Sequence, residues 1–161
     1  MSPSTDDSKG AAVRFPPPAV PVVGLIVGIA VHRFAWPLPM GIPEGVMRYG
    51  LAAVLILLGL GLLAAAIGLF RSSGQDPAPW ENTPEIISTG IYRFTRNPMY
   101  LGMGVLQAGI GVALNNAWIV ILVPLVWLTI YYIAIRHEEA YLEQKFGTPY
   151  TEYKNSVRRW I

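Results

Sequence analysis

The sequence predicts an all-α integral membrane protein: four transmembrane helices, a cytoplasmic loop between the second and third, and an amphipathic helix near the C-terminal end. Three observations carry that expectation. Hydrophobic residues make up 53% of the 161 positions and charged residues 14%, with a mean hydropathy of +0.42, a balance found in membrane proteins. Four apolar stretches stand out, to be set against the roughly 17 to 25 helical residues that cross a hydrocarbon core. Lysine and arginine gather beside these stretches, mostly on one side, where they set orientation.

Residues 1–18 carry Asp6, Asp7 and Pro16-Pro17-Pro18, a poor match to a cleaved signal peptide; a disordered cytoplasmic arm is expected. The first span covers 19–36, with His32 and Arg33 near its end, where they can snorkel. The second, 49–70, has no charged residue over 22 positions. Loop 71–98 follows, 28 residues with four prolines and two glycines. A connection that long is either functional or disordered. Its Trp80, Ile86, Ile87, Ile91, Tyr92 and Phe94 are anchors that a solvated linker would lack, so a folded lid or collar is expected.

The third span, 99–114, is glycine-rich, and only Asn115 and Asn116 separate it from the fourth, 117–135; the two should form a helical hairpin. The helix should continue as RHEEAYLEQKF to Gly147, where a left-handed cap belongs. Thr148-Pro149 then opens another helix, with Tyr150, Tyr153, Val157 and Trp160 on an apolar face at the membrane interface. The whole of 19–161 reads as one domain. Arg71, Arg93 and Arg96 flank the loop, and Arg136, Lys145, Lys154, Arg158 and Arg159 follow span four; Lys9 and Arg14 precede span one. Only Arg33 and Arg48 fall opposite. Loop and both termini are therefore expected on the cytoplasmic side of a cell's inner (plasma) membrane.

The absence of cysteine excludes a disulfide framework, a thiolate metal site and a cysteine nucleophile. His32 and His137 are not spaced as a metal pair, so no metal is expected. No phosphate-binding or dinucleotide glycine fingerprint occurs. The net charge of +2 lies beside apolar segments and suits topology and anionic lipid better than nucleic acid.

Three features can carry chemistry. Arg136, Glu138 and Glu139 lie just past the apolar part of span four; spacing allows either a solvated, salt-bridged face or a site. In Arg96-Asn97-Pro98 the residue before proline is pushed out of the helix and Pro98 can begin one. Free N–H groups at such a start attract carboxylate or phosphate, while the plainer role of Arg93 and Arg96 is orientation. Gly102, Gly104, Gly109 and Gly111 let helices approach closely, or let a planar ligand lie on bare backbone. Gly24 and Gly28 read as packing, and Gln107 as a bond to a neighbouring helix. The glycines leave the oligomeric state open.

Taken together, TGIYRFTRNPMYLGMG, a hairpin, and RHEEAYLEQKFGTPYTEYKNSVRRW resemble the isoprenylcysteine carboxyl methyltransferase and phospholipid methyltransferase superfamily of integral membrane enzymes, over roughly residues 89–160. The resemblance implies methyl transfer from S-adenosylmethionine to a lipophilic small molecule, a prenylcysteine-like carboxylate or an aminolipid, among membrane lipids. It implies one cofactor wall of Tyr92, Arg96, Asn97, Pro98, Tyr100, Gly102 and Gly104, and another of Arg136, Glu138 and Glu139. Arg136 would orient a carboxylate acceptor, and Glu139 would assist proton loss from an amine. Many members have histidine where this chain has Asn97, and asparagine cannot exchange a proton near neutral pH. Two alternatives stand beside this one: an NADPH-dependent reductase of the sterol-reductase type, and a small structural or transporter-like membrane protein.

Overall fold

The computed structural model describes residues 10–13 and 15–161, and all regular structure among the described residues is helical. Helix α1, Ala19–Ala30, runs on into a π-helical turn at Val31–Ala35; α2 is Val46–Ser72; a 3₁₀ turn at Gly90–Arg93 precedes α3, Pro98–Ala113. Then come α4 (Ala117–Ile121), α5 (Val123–Ile130), a second π turn (Tyr131–Ile135), α6 (Arg136–Phe146) and α7 (Thr148–Ser156). From α4 to α6 the helix is one run, Ala117–Phe146. That run and α2 are long and apolar enough to cross a membrane; α1 with its π turn and α3 are shorter apolar helices. Their outward side chains are apolar, Leu57 and Val22 being 68% and 53% exposed, a surface suited to lipid.

Glycine sets how closely the helices pack. A Cβ on Gly59 of α2 would fall 2.7 Å from the Leu106 nitrogen, and one on Gly102 would fall 2.9 Å from the Gly59 carbonyl oxygen, so α2 and α3 touch backbone to backbone. Gly24 and Gly28 bring α1 close too, Gly24 against the side chains of Gln107 and Val126 and Gly28 against Ile119.

At the end of the bundle holding the α3–α4 turn, polar side chains staple the elements. Asn115 takes a left-handed φ of 50° and accepts from the Met40 N–H. Asn116 caps α4 through Trp118 N and donates to the Gly28 carbonyl. Gln107 donates to the Ile119 carbonyl at 3.0 Å, the neighbouring-helix bond expected of it. His32, expected to snorkel, accepts from the Leu38 N–H.

The opposite end gathers loop, tail and arm. Residues 1–9 and 14, including Lys9, Arg14 and much of the expected disordered arm, lie outside the described residues. The arm's described residues pack on the loop: Gly10 and Ala11 donate to the carbonyls of Trp80 and Pro79 at 2.9 and 2.8 Å, and Ala11 and Val13 are buried. Of the expected loop anchors, Tyr92 is buried and Ile86, Ile87 and Ile91 are half-buried, while Trp80 and Phe94 are 47% and 73% exposed; hydrogen bonds add to these contacts. Tyr141 Oη donates to Asn82 and accepts from the Thr83 N–H, and Lys145 bonds Asn82.

The tail departs further from expectation. Gly147 does break the helix with a φ of +60°, but α7 ends at Ser156 and Val157 is extended. Residues 158–160 then fold inward against the start of α3 where a longer amphipathic helix was expected, and Trp160 stacks on Trp127 with ring centroids 5.6 Å apart.

Candidate functional site

At this end lies a cavity of about 370 Å³, within the usual range for small-molecule sites. Its apolar wall comes from Leu63, Ile67 and Phe70 of α2 with Met99 and Met103 of α3; loop residues 76–80, 83 and 85–87 reach over it, together with Ala11, Pro17 and Pro18. Its polar wall is Tyr92, Arg96, Asn97 and Tyr100 on one side and Glu138, Glu139, Tyr141, Tyr150 and Tyr153 on the other.

Asn97 is non-helical at φ −128°, ψ 54°, and Pro98 opens α3 behind it. The first N–H groups of α3 thus have no intrahelical partner. Asn97 does not cap the helix: its side-chain amide donates to the Arg159 carbonyl at 3.1 Å. Thr95 Oγ1 donates to the same carbonyl, and Arg96 N donates to Arg158 O. The Asn-Pro turn is therefore fixed by the folded-back tail.

The two acids have different environments. Glu139 is buried and clamped by Arg159, with Nε 3.0 Å from Oε1 and Nη2 2.9 Å from Oε2. This bidentate grip is the strongest form of the pair, and it raises the Arg159 pKa. Arg96 Nη1 lies 3.2 Å from Glu139 Oε1, within ion-pair reach but off the line of a hydrogen bond. Its Nη1 and Nε, both buried, keep no hydrogen-bond partner. Glu138, past the apolar part of the fourth helix and half-buried, accepts a short hydrogen bond from Tyr100 Oη. Burial pushes its carboxyl up to about 7; the Tyr100 bond pulls the other way and Glu139 adds repulsion. Burial likewise raises the phenols of Tyr92, Tyr150 and Tyr153, the last to about 12, so the aromatic wall is neutral.

The structure brings together Tyr92, Arg96, Asn97, Tyr100, Glu138 and Glu139 from the expected set. It places the other four elsewhere. Arg136 is exposed, near His137 and over the Tyr132 ring, because α6 turns that face outward. Pro98 is fully buried beneath the turn. Gly102 lies against α2, and a Cβ on Gly104 would fall 2.2 Å from Trp127 Nε1; both glycines serve helix packing and neither lines the cavity. Glu139, expected to take a proton from an amine, already serves two arginines. Sequence reasoning missed Arg159, Tyr150 and Tyr153; the Tyr150–Tyr153 spacing was visible but read as a lipid-facing stripe.

A helical bundle with an apolar outer surface and an acid–arginine cavity at one end marks a membrane-associated helical protein. This chain belongs to the phospholipid methyltransferase family, whose model matches residues 47–149. It is similar to the protein-S-isoprenylcysteine O-methyltransferase of Saccharomyces cerevisiae, 34% identical over 77 residues, which is 48% of this chain and 32% of that protein. It is also similar to protein-S-isoprenylcysteine O-methyltransferase A of Arabidopsis thaliana, 32% identical over 48% of this chain and 40% of that protein. An uncharacterized protein of Haemophilus influenzae is 38% identical over 65 residues, 39% of this chain and all of that protein. The match thus takes in less than half the length of the isoprenylcysteine relatives.

Proposed function

We propose that this chain transfers a methyl group from S-adenosylmethionine to a lipophilic acceptor, in the cavity at the cytoplasmic end of four membrane-spanning helices. One observation carries the reading: the cavity sets a half-buried Glu138, its carboxyl pushed up by burial, and an Arg96 with buried, unpartnered donors on facing walls. These suit the ammonium and carboxylate of the cofactor's amino-acid end. Arg96 and the first N–H groups of α3 would hold the carboxylate; Glu138, oriented by Tyr100, would hold the ammonium. Tyr92, Tyr150 and Tyr153 offer ring faces to a sulfonium. When bound, the cofactor supplies an already activated methyl group, so the protein's part is positioning and exclusion of water.

The acceptor's apolar part fits the α2–α3 wall of Leu63, Ile67 and Met103, since Trp127 of the fourth helix is committed to Gly104 and Trp160. A carboxylate acceptor reacts as it stands, in keeping with the O-methyl transfer named for the yeast and plant relatives; an amine would have to arrive neutral. The test is calorimetric titration of S-adenosylmethionine and S-adenosylhomocysteine into detergent-purified wild type and Glu138→Gln, with NADPH as comparator. Binding of both nucleosyl ligands, weakened at least tenfold in Glu138→Gln, is expected. Binding of NADPH instead supports the reductase reading, and no binding by folded protein removes the methyltransferase reading.

A further inference from the structure

We propose that Arg159 is a positioning residue that keeps Arg96 free to receive the carboxylate of the bound nucleosyl amino acid. The inference rests on the proposed cofactor reading and extends it to a residue outside the cavity wall.

Two guanidinium groups converge on one carboxylate, that of Glu139, so the trio carries one uncompensated positive charge beside the cavity. Geometry decides where that charge is available. Arg159 takes both Glu139 oxygens through parallel N–H bonds and lies over the Tyr131 ring at 4.8 Å. With Glu139 satisfied along its outer edge, Arg96 stays at ion-pair distance but makes no hydrogen bond through Nη1 or Nε, although its side chain is only 9% exposed. Buried donors in that state are costly unless a ligand completes them. The backbone of the same residue sets the other side: its carbonyl accepts from Asn97 Nδ2 and Thr95 Oγ1. Arg159 thus ties the acid on α6 to the start of α3, with Arg96 held between them.

Lysine in its place offers a point charge that cannot grip both oxygens. Glu139 would then draw Arg96 into a full hydrogen bond, and the carboxylate site would close. The loss should fall on ligands bearing a carboxylate and spare those without one.

The experiment compares S-adenosylhomocysteine with its decarboxylated analogue, which keeps the adenosine and the ammonium, in wild type, Arg159→Lys, Arg96→Ala and the double variant, with folding verified by thermal melts. Arg159→Lys should weaken S-adenosylhomocysteine at least tenfold and the analogue less than twofold, and should add nothing in the Arg96→Ala background. Equal weakening of both ligands, or an undiminished effect of Arg159→Lys without Arg96, would make Arg159 a structural brace and overturn the proposal. So would unchanged affinity in Arg159→Lys. If wild type binds neither ligand the cofactor reading itself has failed, an outcome distinct from all of these.

Discussion

Gly104→Ala separates helix packing from ligand contact at the glycine-rich start of α3. The new methyl would meet Trp127 Nε1, Cε2 and Cζ2 at 2.2, 2.4 and 2.6 Å. The indole has little room to retreat: its N–H is bonded to the Tyr100 carbonyl at 2.9 Å and its ring stacks on Trp160. Overpacking of this kind costs about 1–3 kcal/mol, and losing the indole bond adds about 1 kcal/mol, roughly 2–4 kcal/mol together. Gly61→Ala is the internal control, because nothing lies within 4 Å of a Cβ there and alanine is favoured over glycine in a helix by about 1 kcal/mol. For a chain of this size the melting temperature of Gly104→Ala should fall by roughly 5–15 °C in tryptophan fluorescence, while Gly61→Ala melts at or above wild type. If Gly104→Ala melts with Gly61→Ala, the close packing of Trp127 on α3 is wrong.

Three further outcomes follow from the site. Affinity for S-adenosylhomocysteine should be full above pH 7 and fall up to tenfold per pH unit below it, because Glu138, with its carboxyl at about 7, must be ionised to hold an ammonium; calorimetry across pH tests this, and a slope that persists in Glu138→Gln would assign the titration to another group. Glu139→Ala leaves two arginines facing each other and should cost about 3 kcal/mol, the lower end for a broken buried pair because the Arg159 side chain is 33% exposed; a wild-type melting temperature would deny the clamp any part in stability. Tyr141→Phe removes the hydroxyl joining α6 to Asn82 and Thr83 and should speed ligand dissociation roughly fivefold in stopped flow, as losing about 1 kcal/mol of hydrogen bonding implies; unchanged rates would mean that ligands leave by another path.

The helices were legible because hydrophobic runs and proline are local signals: α2 lies within three residues of the expected 49–70 at each end, and α3 begins at the proline that the Asn-Pro step marks. The Asn115-Asn116 turn and Gly147 were legible for the same reason. The partners of the charges were not. Arg136 and Arg159 are equally basic on paper, and only the return of residues 158–160 to the start of α3 brings the second, twenty positions on from Glu139, to the acid. The widened turn at Tyr131–Ile135 was not legible either, since a constant 3.6-residue period cannot anticipate it. Gly102 and Gly104 were ambiguous in sequence because close approach of a helix and of a ligand both call for a missing side chain.

The Arg136 N–H bonds back to the Tyr131 carbonyl, five residues earlier, so the chain uses one more residue to reach Glu138 than a plain α-helix would. A gene that lost one codon within 131–135 could relax to an ordinary helix and leave both acids pointing as they do now. The same loss within 136–138 would turn Glu139 by about 100°, away from Arg96 and Arg159. Single-codon length changes should therefore be tolerated at the widened turn and lethal to the site just beyond it, which makes this turn the natural place for a gap when such chains are compared.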